Sequence, residues 1–210
     1  MTAVKFCGIR RPEDLDFINQ SQPDYIGFVF APSRRQVTAS QAAALANRLK
    51  VPISTVGVFV NEPLDSLCAI AKKARIQVIQ LHGEETEADI WELRKHLPHQ
   101  KIWKAVRVQT SDDIRLADRL PVDALLLDSF VPGSYGGNGQ TANWDLIRQT
   151  QIQKPFFLAG GLHTENIPQA IAAVHPYGID LSGGIETDGW KDQRKMQAVL
   201  EAVRAADDTI

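Results

Sequence analysis

Residues 156–185 read FFLAGGLHTENIPQAIAAVHPYGIDLSGGI, and this stretch decides the fold because it contains one complete structural repeat. Two short apolar runs, residues 156–159 and 179–182, have the length and composition of buried strands, and a glycine pair follows each of them. A stretch with helical spacing of apolar residues separates the two runs. A strand, a helix and a second strand predict a parallel βαβ unit with a right-handed crossover.

The same alternation extends back to the beginning of the chain. Six further strand candidates precede this unit, at residues 4–7, 25–30, 54–60, 76–81, 102–108 and 124–128. Eight strands, each followed by a helical stretch, fit the lower size limit of a TIM barrel, at about 200 residues. We therefore predict an α/β protein that is a single (β/α)8 TIM barrel, with residues 1–210 forming one domain.

Local signals predict where the helices begin. Pro12, Glu13 and Asp14 suit a first helical turn, and Thr38 is a candidate N-cap. The helices after the third to seventh strands are expected to open at Pro63, Thr86, Ser111, Asn143 and Thr164. The last helix is predicted from about residue 192 to 206. A doubly wound open sheet is the structural alternative, but the first turn reads CGIR and not Gly-x-Gly-x-x-Gly.

Composition argues against several classes of protein. The formal net charge of −2 disfavours non-specific binding of nucleic acid, which draws on a broad basic surface. No apolar run reaches the roughly 18 residues that a membrane span needs, and the N-terminal residues do not resemble a signal peptide. Cys7 and Cys68 have neither metal-ligand nor disulfide-framework spacing, which favours free thiols in a reducing compartment. We expect a cytoplasmic protein that binds neither nucleic acid nor membrane.

The two glycine pairs, Gly160-Gly161 and Gly183-Gly184, indicate a phosphate site. In TIM barrels the loops after strands seven and eight commonly bind phosphate, and glycines let backbone N–H groups approach its oxygens closely. Either pair alone is better explained as a tight turn. Both pairs after neighbouring strands favour phosphate binding.

Four reactive side chains stand at predicted strand ends, where TIM barrels carry their active sites: Cys7, His82, Asp128 and Ser182. Cys7 has Arg10 close by in sequence, and a cationic neighbour would lower the thiol pKa towards neutrality and make it a plausible base; the alternative is an inert buried thiol. Asp128 follows an apolar strand, where desolvation would raise its pKa and suit a proton donor; the alternative is a loop cap or an ion-pair partner. His82 is expected to hydrogen-bond a substrate or to shape its loop. The remaining histidines lack metal-ligand spacing, so no metal site is expected.

Short sequence blocks in this chain resemble those of the phosphoribosylanthranilate isomerases. They are KFCGIR at 5–10, GFVF at 27–30 with SRR at 33–35, VGVFVN at 56–61, QLHGE at 80–84, LDS at 127–129, GGNG at 136–139, LAGGL at 158–162 and GGIE at 183–186. The blocks follow the order of the family from the first strand to the last. The resemblance therefore covers essentially the whole chain.

This resemblance implies the Amadori rearrangement of a phosphorylated, anthranilate-bearing ribose to the corresponding ketose in tryptophan biosynthesis. It implies that Asp128 is the general acid, that Cys7 is the general base and that Arg35 holds the substrate carboxylate. It also implies that Gly160, Gly161, Ser182, Gly183 and Gly184 form the phosphate site, with His82 beside the substrate. The chemistry requires neither a metal nor another cofactor, and the only expected partner is the phosphorylated small molecule, bound by a monomer or a homodimer.

The chain departs from the family pattern at several loop positions. Ser182-Gly183-Gly184 stands where Ser-Ser-Gly is usual, Asn138 replaces a threonine, and Asp188-Gly189 replaces Pro-Gly. Other enzymes of this fold fit less well. A ribulose-phosphate epimerase needs several metal ligands, and the bifunctional isomerase of histidine synthesis needs an aspartate at position 7. An indole-glycerol-phosphate synthase needs a Lys and Glu constellation and an N-terminal extension. A non-catalytic barrel that binds a phosphorylated ligand or a partner protein is the remaining alternative.

Overall fold

The computed structural model describes residues 1–129 and 144–209, except for the side chain of Ser129. In this part of the chain, eight parallel strands pair in sequence order and the first pairs with the eighth, which closes a barrel. The strands are β1 (Ala3–Cys7), β2 (Tyr25–Val29), β3 (Ser54–Phe59), β4 (Val78–Leu81), β5 (Lys101–Val108), β6 (Ala124–Ser129), β7 (Phe156–Ala159) and β8 (Gly178–Leu181). The predicted (β/α)8 fold is confirmed, and each predicted strand boundary is within two residues of the observed one.

Helices connect the strands and cover the outside of the barrel. They are α1 (Pro12–Ser21), α2 (Ala39–Ala46), α3 (Leu64–Lys73), α4 (Glu87–His96), α5 (Ser111–Asp118), α6 (Trp144–Gln149), α7 (Ile167–Val174) and α8 (Gln193–Asp207). No helix in residues 1–129 or 144–209 is long and apolar enough to cross a membrane.

Within the described residues, the helix starts follow their local signals with one exception. Thr38 and Thr86 each accept a hydrogen bond from the backbone N–H three residues later, as predicted. The helix α5 begins at Ser111, as predicted, with Thr110 as its N-cap. The prediction of a helix start at Thr164 is wrong: residues 164–166 form a turn, and α7 begins at Ile167. The reason is Pro168, which has no N–H to donate to the carbonyl of Thr164. The predicted cap Asn143 and the glycine block at 136–139 lie outside the described residues.

The interior of the barrel changes in character along its axis. The amino-terminal half is filled by aromatic rings, with Trp103 stacked on Phe157 at 4.4 Å between ring centroids and Tyr25 in edge contact with both. Smaller apolar side chains, such as Val56 and Leu126, complete this inner cluster. The charged and polar residues face inward above it, towards the carboxyl ends of the strands. Polar chemistry is thereby confined to the end of the barrel where TIM-barrel sites lie.

A small hairpin extends the loop after β8. A 3-10 turn, Gly183–Ile185, leads into β9 (Glu186–Thr187), which pairs in antiparallel fashion with β10 (Trp190–Lys191). Asp188 and Gly189 connect the two strands with φ values of 51° and 79°, the left-handed conformation of a type I′ turn. The register places Lys191 opposite Glu186, so the hairpin brings an acid and a base together at the mouth of the barrel.

Candidate active site

Cys7 lies at the carboxyl end of β1, with its sulfur packed over Gly27 of the neighbouring strand. A Cβ at position 27 would lie 2.7 Å from Sγ, so the glycine provides the space that the thiol occupies. Cys7 is 8% exposed. Burial raises the pKa of the thiol, as does the charge of Asp180, whereas Lys5 and Lys191 lower it; the net shift is upward.

The expectation that Arg10 lowers the pKa of Cys7 towards neutrality is therefore wrong. The Arg10 guanidinium turns away, donates to the carbonyl oxygens of Arg34 and Gly189, and lies 3.8 Å from the ring centroid of Trp190. The cations whose charges act on the thiol are instead Lys5 and Lys191. Neither was singled out in the sequence.

Lys5 and Asp180 form a buried ion pair between the first and last strands. Their register makes them direct neighbours, and Nζ of Lys5 donates to Oδ1 of Asp180 at 2.8 Å. Burial alone would lower the pKa of the Lys5 ammonium, but Asp180 and Cys7 outweigh it and raise that pKa, so Lys5 stays charged. A sequence signal for this pair exists: each is a charge inside an apolar strand, two residues before Cys7 or Ser182 and hence on the same face.

Asp128 lies near the carboxyl end of β6, between Arg107 on β5 and Ala159 on β7 in the register of the sheet. Burial raises the pKa of its carboxyl, repulsion from Asp180 adds to the effect, and Arg107 opposes it. The expected direction of this shift is confirmed. A carboxyl with a raised pKa is easier to hold protonated near neutral pH.

His82 follows β4 and is held by two contacts. Its backbone N–H donates to the carbonyl oxygen of Phe59 at 2.8 Å, and Nδ1 lies 3.1 Å from Nε2 of Gln80. Burial lowers the pKa of the imidazole, and the charge of Lys5 lowers it further. A neutral imidazole can donate from one nitrogen and accept at the other, which suits hydrogen bonding to a polar ligand.

Arg35 reaches the mouth of the barrel from the loop after β2. A Cβ at Gly8 would overlap Cδ of Arg35, so the stem of this arginine passes directly over the backbone that follows Cys7. Its guanidinium donates from Nε and Nη2 to the two carboxylate oxygens of Glu186, at 2.7 and 2.8 Å. Arg34 also reaches Glu186, at 2.8 Å, but its side chain is 61% exposed against 22% for Arg35.

The two glycine pairs lie in adjacent loops. Gly160 and Gly161 have positive φ values of 88° and 64°, which only glycine adopts readily. A Cβ at Gly184 would overlap the carbonyl oxygen of Leu162, so the loops after β7 and β8 pack backbone against backbone. The Ser182 hydroxyl beside them donates to the carbonyl oxygen of Cys7 at 3.2 Å. Within residues 1–129 and 144–209, no group of three His, Cys, Asp or Glu side chains is placed to hold a metal ion.

Comparisons with known proteins identify relatives over nearly the whole chain. The family model described as N-(5'-phosphoribosyl)anthranilate (PRA) isomerase matches residues 4–202. The N-(5'-phosphoribosyl)anthranilate isomerase of Thermoanaerobacter sp. (strain X514) is 41% identical over 204 residues, which are 97% of this chain and 98% of that protein. The crystal structure of phosphoribosyl anthranilate isomerase from Thermotoga maritima matches with a TM-score of 0.86 at 33% identity, over 98% of this chain and 100% of that one.

A second solved structure contains a ligand. It is phosphoribosyl anthranilate isomerase in complex with reduced 1-(o-carboxyphenylamino)-1-deoxyribulose 5-phosphate. It matches with a TM-score of 0.82 at 32% identity, over 98% of this chain and 100% of that one.

Proposed function

This chain belongs to the N-(5'-phosphoribosyl)anthranilate isomerase family, and from that premise we propose that it converts N-(5'-phosphoribosyl)anthranilate to 1-(o-carboxyphenylamino)-1-deoxyribulose 5-phosphate in tryptophan biosynthesis. The family match over residues 4–202 is the observation that carries the proposal. We place the reaction in one catalytic domain, residues 1–210, which acts in the cytoplasm as a monomer or a homodimer.

The proposed reaction is an isomerisation: protons move between the substrate and the two catalytic groups, and the product has the same atoms as the substrate. Asp128 protonates the ring oxygen as its bond to C1 breaks, which gives an open-chain protonated Schiff base. The thiolate of Cys7 then removes the proton from C2, and the C–H electron pair forms the C1=C2 bond of an enolamine. Loss of a proton from the C2 hydroxyl and gain of one at C1 give the ketone. Because no net electrons are transferred, the reaction needs no redox cofactor.

Burial and charge at the two groups support these roles. Burial favours the neutral thiol of Cys7, and the positive charges of Lys5 and Lys191 oppose this effect by stabilising the thiolate. Burial and Asp180 favour the neutral form of the Asp128 carboxyl. An acid and a base that are correctly placed are each typically worth about 10²–10⁴ in rate.

The substrate has two anionic groups, for which the mouth of the barrel offers separate partners. We assign the anthranilate carboxylate to Arg35, whose planar fork suits a carboxylate. We assign the phosphate to the backbone N–H groups of Gly160, Gly161, Gly183 and Gly184. Ser182 belongs to the same loop, where its hydroxyl bond to the carbonyl of Cys7 links the phosphate loop to the base. His82 is assigned to a hydroxyl of the sugar.

The raised pKa values of Cys7 and Asp128 predict an unusual dependence of kcat/KM on pH. In the reactive form Asp128 is protonated and Cys7 is a thiolate. The commoner form at neutral pH has an ionised Asp128 and a neutral Cys7 thiol, because burial raises the pKa of the thiol. Between the two pKa values the reactive fraction is small but constant, because both forms carry one proton in total. Below the pKa of Asp128 both groups are protonated, and above that of Cys7 both are ionised.

We therefore expect a plateau of kcat/KM across neutral pH, with an acidic limb set by Asp128 and an alkaline limb set by Cys7. Steady-state assays across the pH range, following the fluorescence of the anthranilate substrate, measure this profile. A steep rise through neutral pH would contradict the proposed distribution of protons. The same assay separates an enzyme from a barrel that only binds: the latter would bind the reduced product analogue without consuming substrate.

A further inference from the structure

Glu186 is a buried carboxylate on which four cationic hydrogen bonds converge. Arg35 donates two of them, Arg34 donates a third, and Nζ of Lys191 donates the fourth at 2.9 Å. The side chain of Glu186 is only 5% exposed. Burial alone would raise the pKa of this carboxyl, but the hydrogen bonds from Arg35 and Lys191 lower it to about 2, so it stays ionised at any assay pH.

The contact with Glu186 uses one edge of the Arg35 guanidinium and does not involve the other edge. Glu186 binds the edge formed by Nε and Nη2. The second edge, formed by Nη1 and Nη2, can accommodate another carboxylate in the same bidentate manner. Among the residues that the structure describes, none accepts a hydrogen bond from Nη1. Glu186 therefore does not occupy the edge on which an incoming carboxylate would bind.

The surroundings of Arg35 make an anchor necessary. Its stem crosses the backbone of Gly8, and a Cβ at Gly183 would lie 3.9 Å from Nη2, so the guanidinium sits between two glycine turns without a side chain from either. Lys191 is a second cation close to it, and the charge of Arg35 contributes to lowering the pKa of the Lys191 ammonium. Glu186 is the carboxylate that both cations contact, and without it Lys191 would keep only its hydrogen bonds to the carbonyl and hydroxyl oxygens of Ser182 among its described partners.

We propose that Glu186 is the positioning residue that sets the site's selectivity for a substrate carrying an aromatic carboxylate, by clamping Arg35 with its free edge towards the substrate. This inference rests on the proposed function, in which Arg35 binds that carboxylate. Glu186 acts through Arg35 and does not touch the reacting atoms. Its contribution should therefore appear in KM for carboxylate-bearing substrates and hardly in kcat.

The test compares Glu186→Gln with the wild-type protein on two substrates. One is phosphoribosylanthranilate, and the other is the analogue made from aniline, which lacks the carboxylate. We expect KM for the anthranilate substrate to rise about tenfold or more, equivalent to about 1.4 kcal/mol, whereas KM for the aniline analogue and both kcat values change by less than about threefold. Glu201→Gln makes the same chemical change on the exposed face of α8 and should alter neither KM.

Two further variants keep the inference falsifiable. Adding Glu186→Gln to Arg35→Gln should cause no further loss of selectivity, because the guanidinium that Glu186 positions is already absent. If Glu186→Gln does not fold, Glu186→Asp can be tested in its place. This variant retains the charge but is one methylene too short to bind both guanidinium nitrogens. It should show a smaller rise in KM that is again confined to the anthranilate substrate. An equal rise in KM for both substrates, or a KM for the anthranilate substrate that is unchanged or falls, would overturn the inference.

Failure of the proposed function gives a different result. In that case the wild-type protein converts neither substrate. The clamp is then tested by calorimetric binding of reduced product analogues with and without the carboxylate. A wild-type preference for the carboxylate that Glu186→Gln abolishes supports the inference, and the absence of that preference in the wild-type protein refutes it.

Discussion

Replacing Cys7 with serine should lower kcat for phosphoribosylanthranilate by at least about 10²-fold, with little change in affinity for the reduced product analogue. A serine hydroxyl is a far weaker acid than a thiol, and in this buried position Lys5 and Lys191 cannot ionise it to a useful extent. The hydroxyl fits over Gly27 in place of the larger sulfur, so the variant should fold. Single-turnover fluorescence separates the chemical step from product release.

Cys68 offers the matched control for this variant. It is also a buried free thiol, but it lies on α3, outside the barrel interior. Cys68→Ser should retain wild-type kcat and KM. Unimpaired turnover by Cys7→Ser would remove the thiol from the mechanism, whatever the control shows.

Replacing Asp128 with asparagine should also lower kcat by at least about 10²-fold. The amide has nearly the same shape as the carboxyl but cannot deliver a proton to the ring oxygen of the sugar. The residual rate should lose the plateau across neutral pH and instead rise with pH until Cys7 ionises, because the thiolate is still required and position 128 no longer titrates. Affinity for the reduced product analogue should stay close to the wild-type value, as measured by quenching of protein fluorescence.

Asp112→Asn is the control for the loss of a negative charge. Asp112 is an exposed residue of α5 whose side chain is 77% accessible, so its removal should not change the kinetics. An Asp128→Asn variant with wild-type kcat would show that another group protonates the ring oxygen. A plateau across neutral pH that persists unchanged in that variant would show that the acidic limb belongs to a different residue.

The fold could be predicted from the sequence because its signals are local. Each strand is a short apolar run, and several helix starts carry their own caps, as at Thr38 and Thr86. Cys7 and Asp128 are predicted as site residues for the same reason: they end predicted strands, and strand ends in this fold form the site. The predicted start of α7 is wrong because the missing N–H of Pro168 outweighs the capping preference of Thr164.

The contacts around Cys7 could not be predicted in the same way. The ion pair of Lys5 with Asp180 spans 175 positions and depends on closure of the barrel, which sets the register of β1 against β8. The contact of Arg35 with Glu186 spans 151 positions and depends on a hairpin of only two residues per strand. Sequence proximity pointed to Arg10 instead, and that arginine leaves the site because its backbone turns into α1.

The most direct test of the account is one single-turnover experiment with the wild-type protein in excess over phosphoribosylanthranilate. Substrate fluorescence should disappear in an exponential phase whose rate constant falls in the usual enzymatic range of about 1–10³ s⁻¹. The product should be the ketose 1-(o-carboxyphenylamino)-1-deoxyribulose 5-phosphate. A fluorescence trace that coincides with the trace recorded without protein would contradict it.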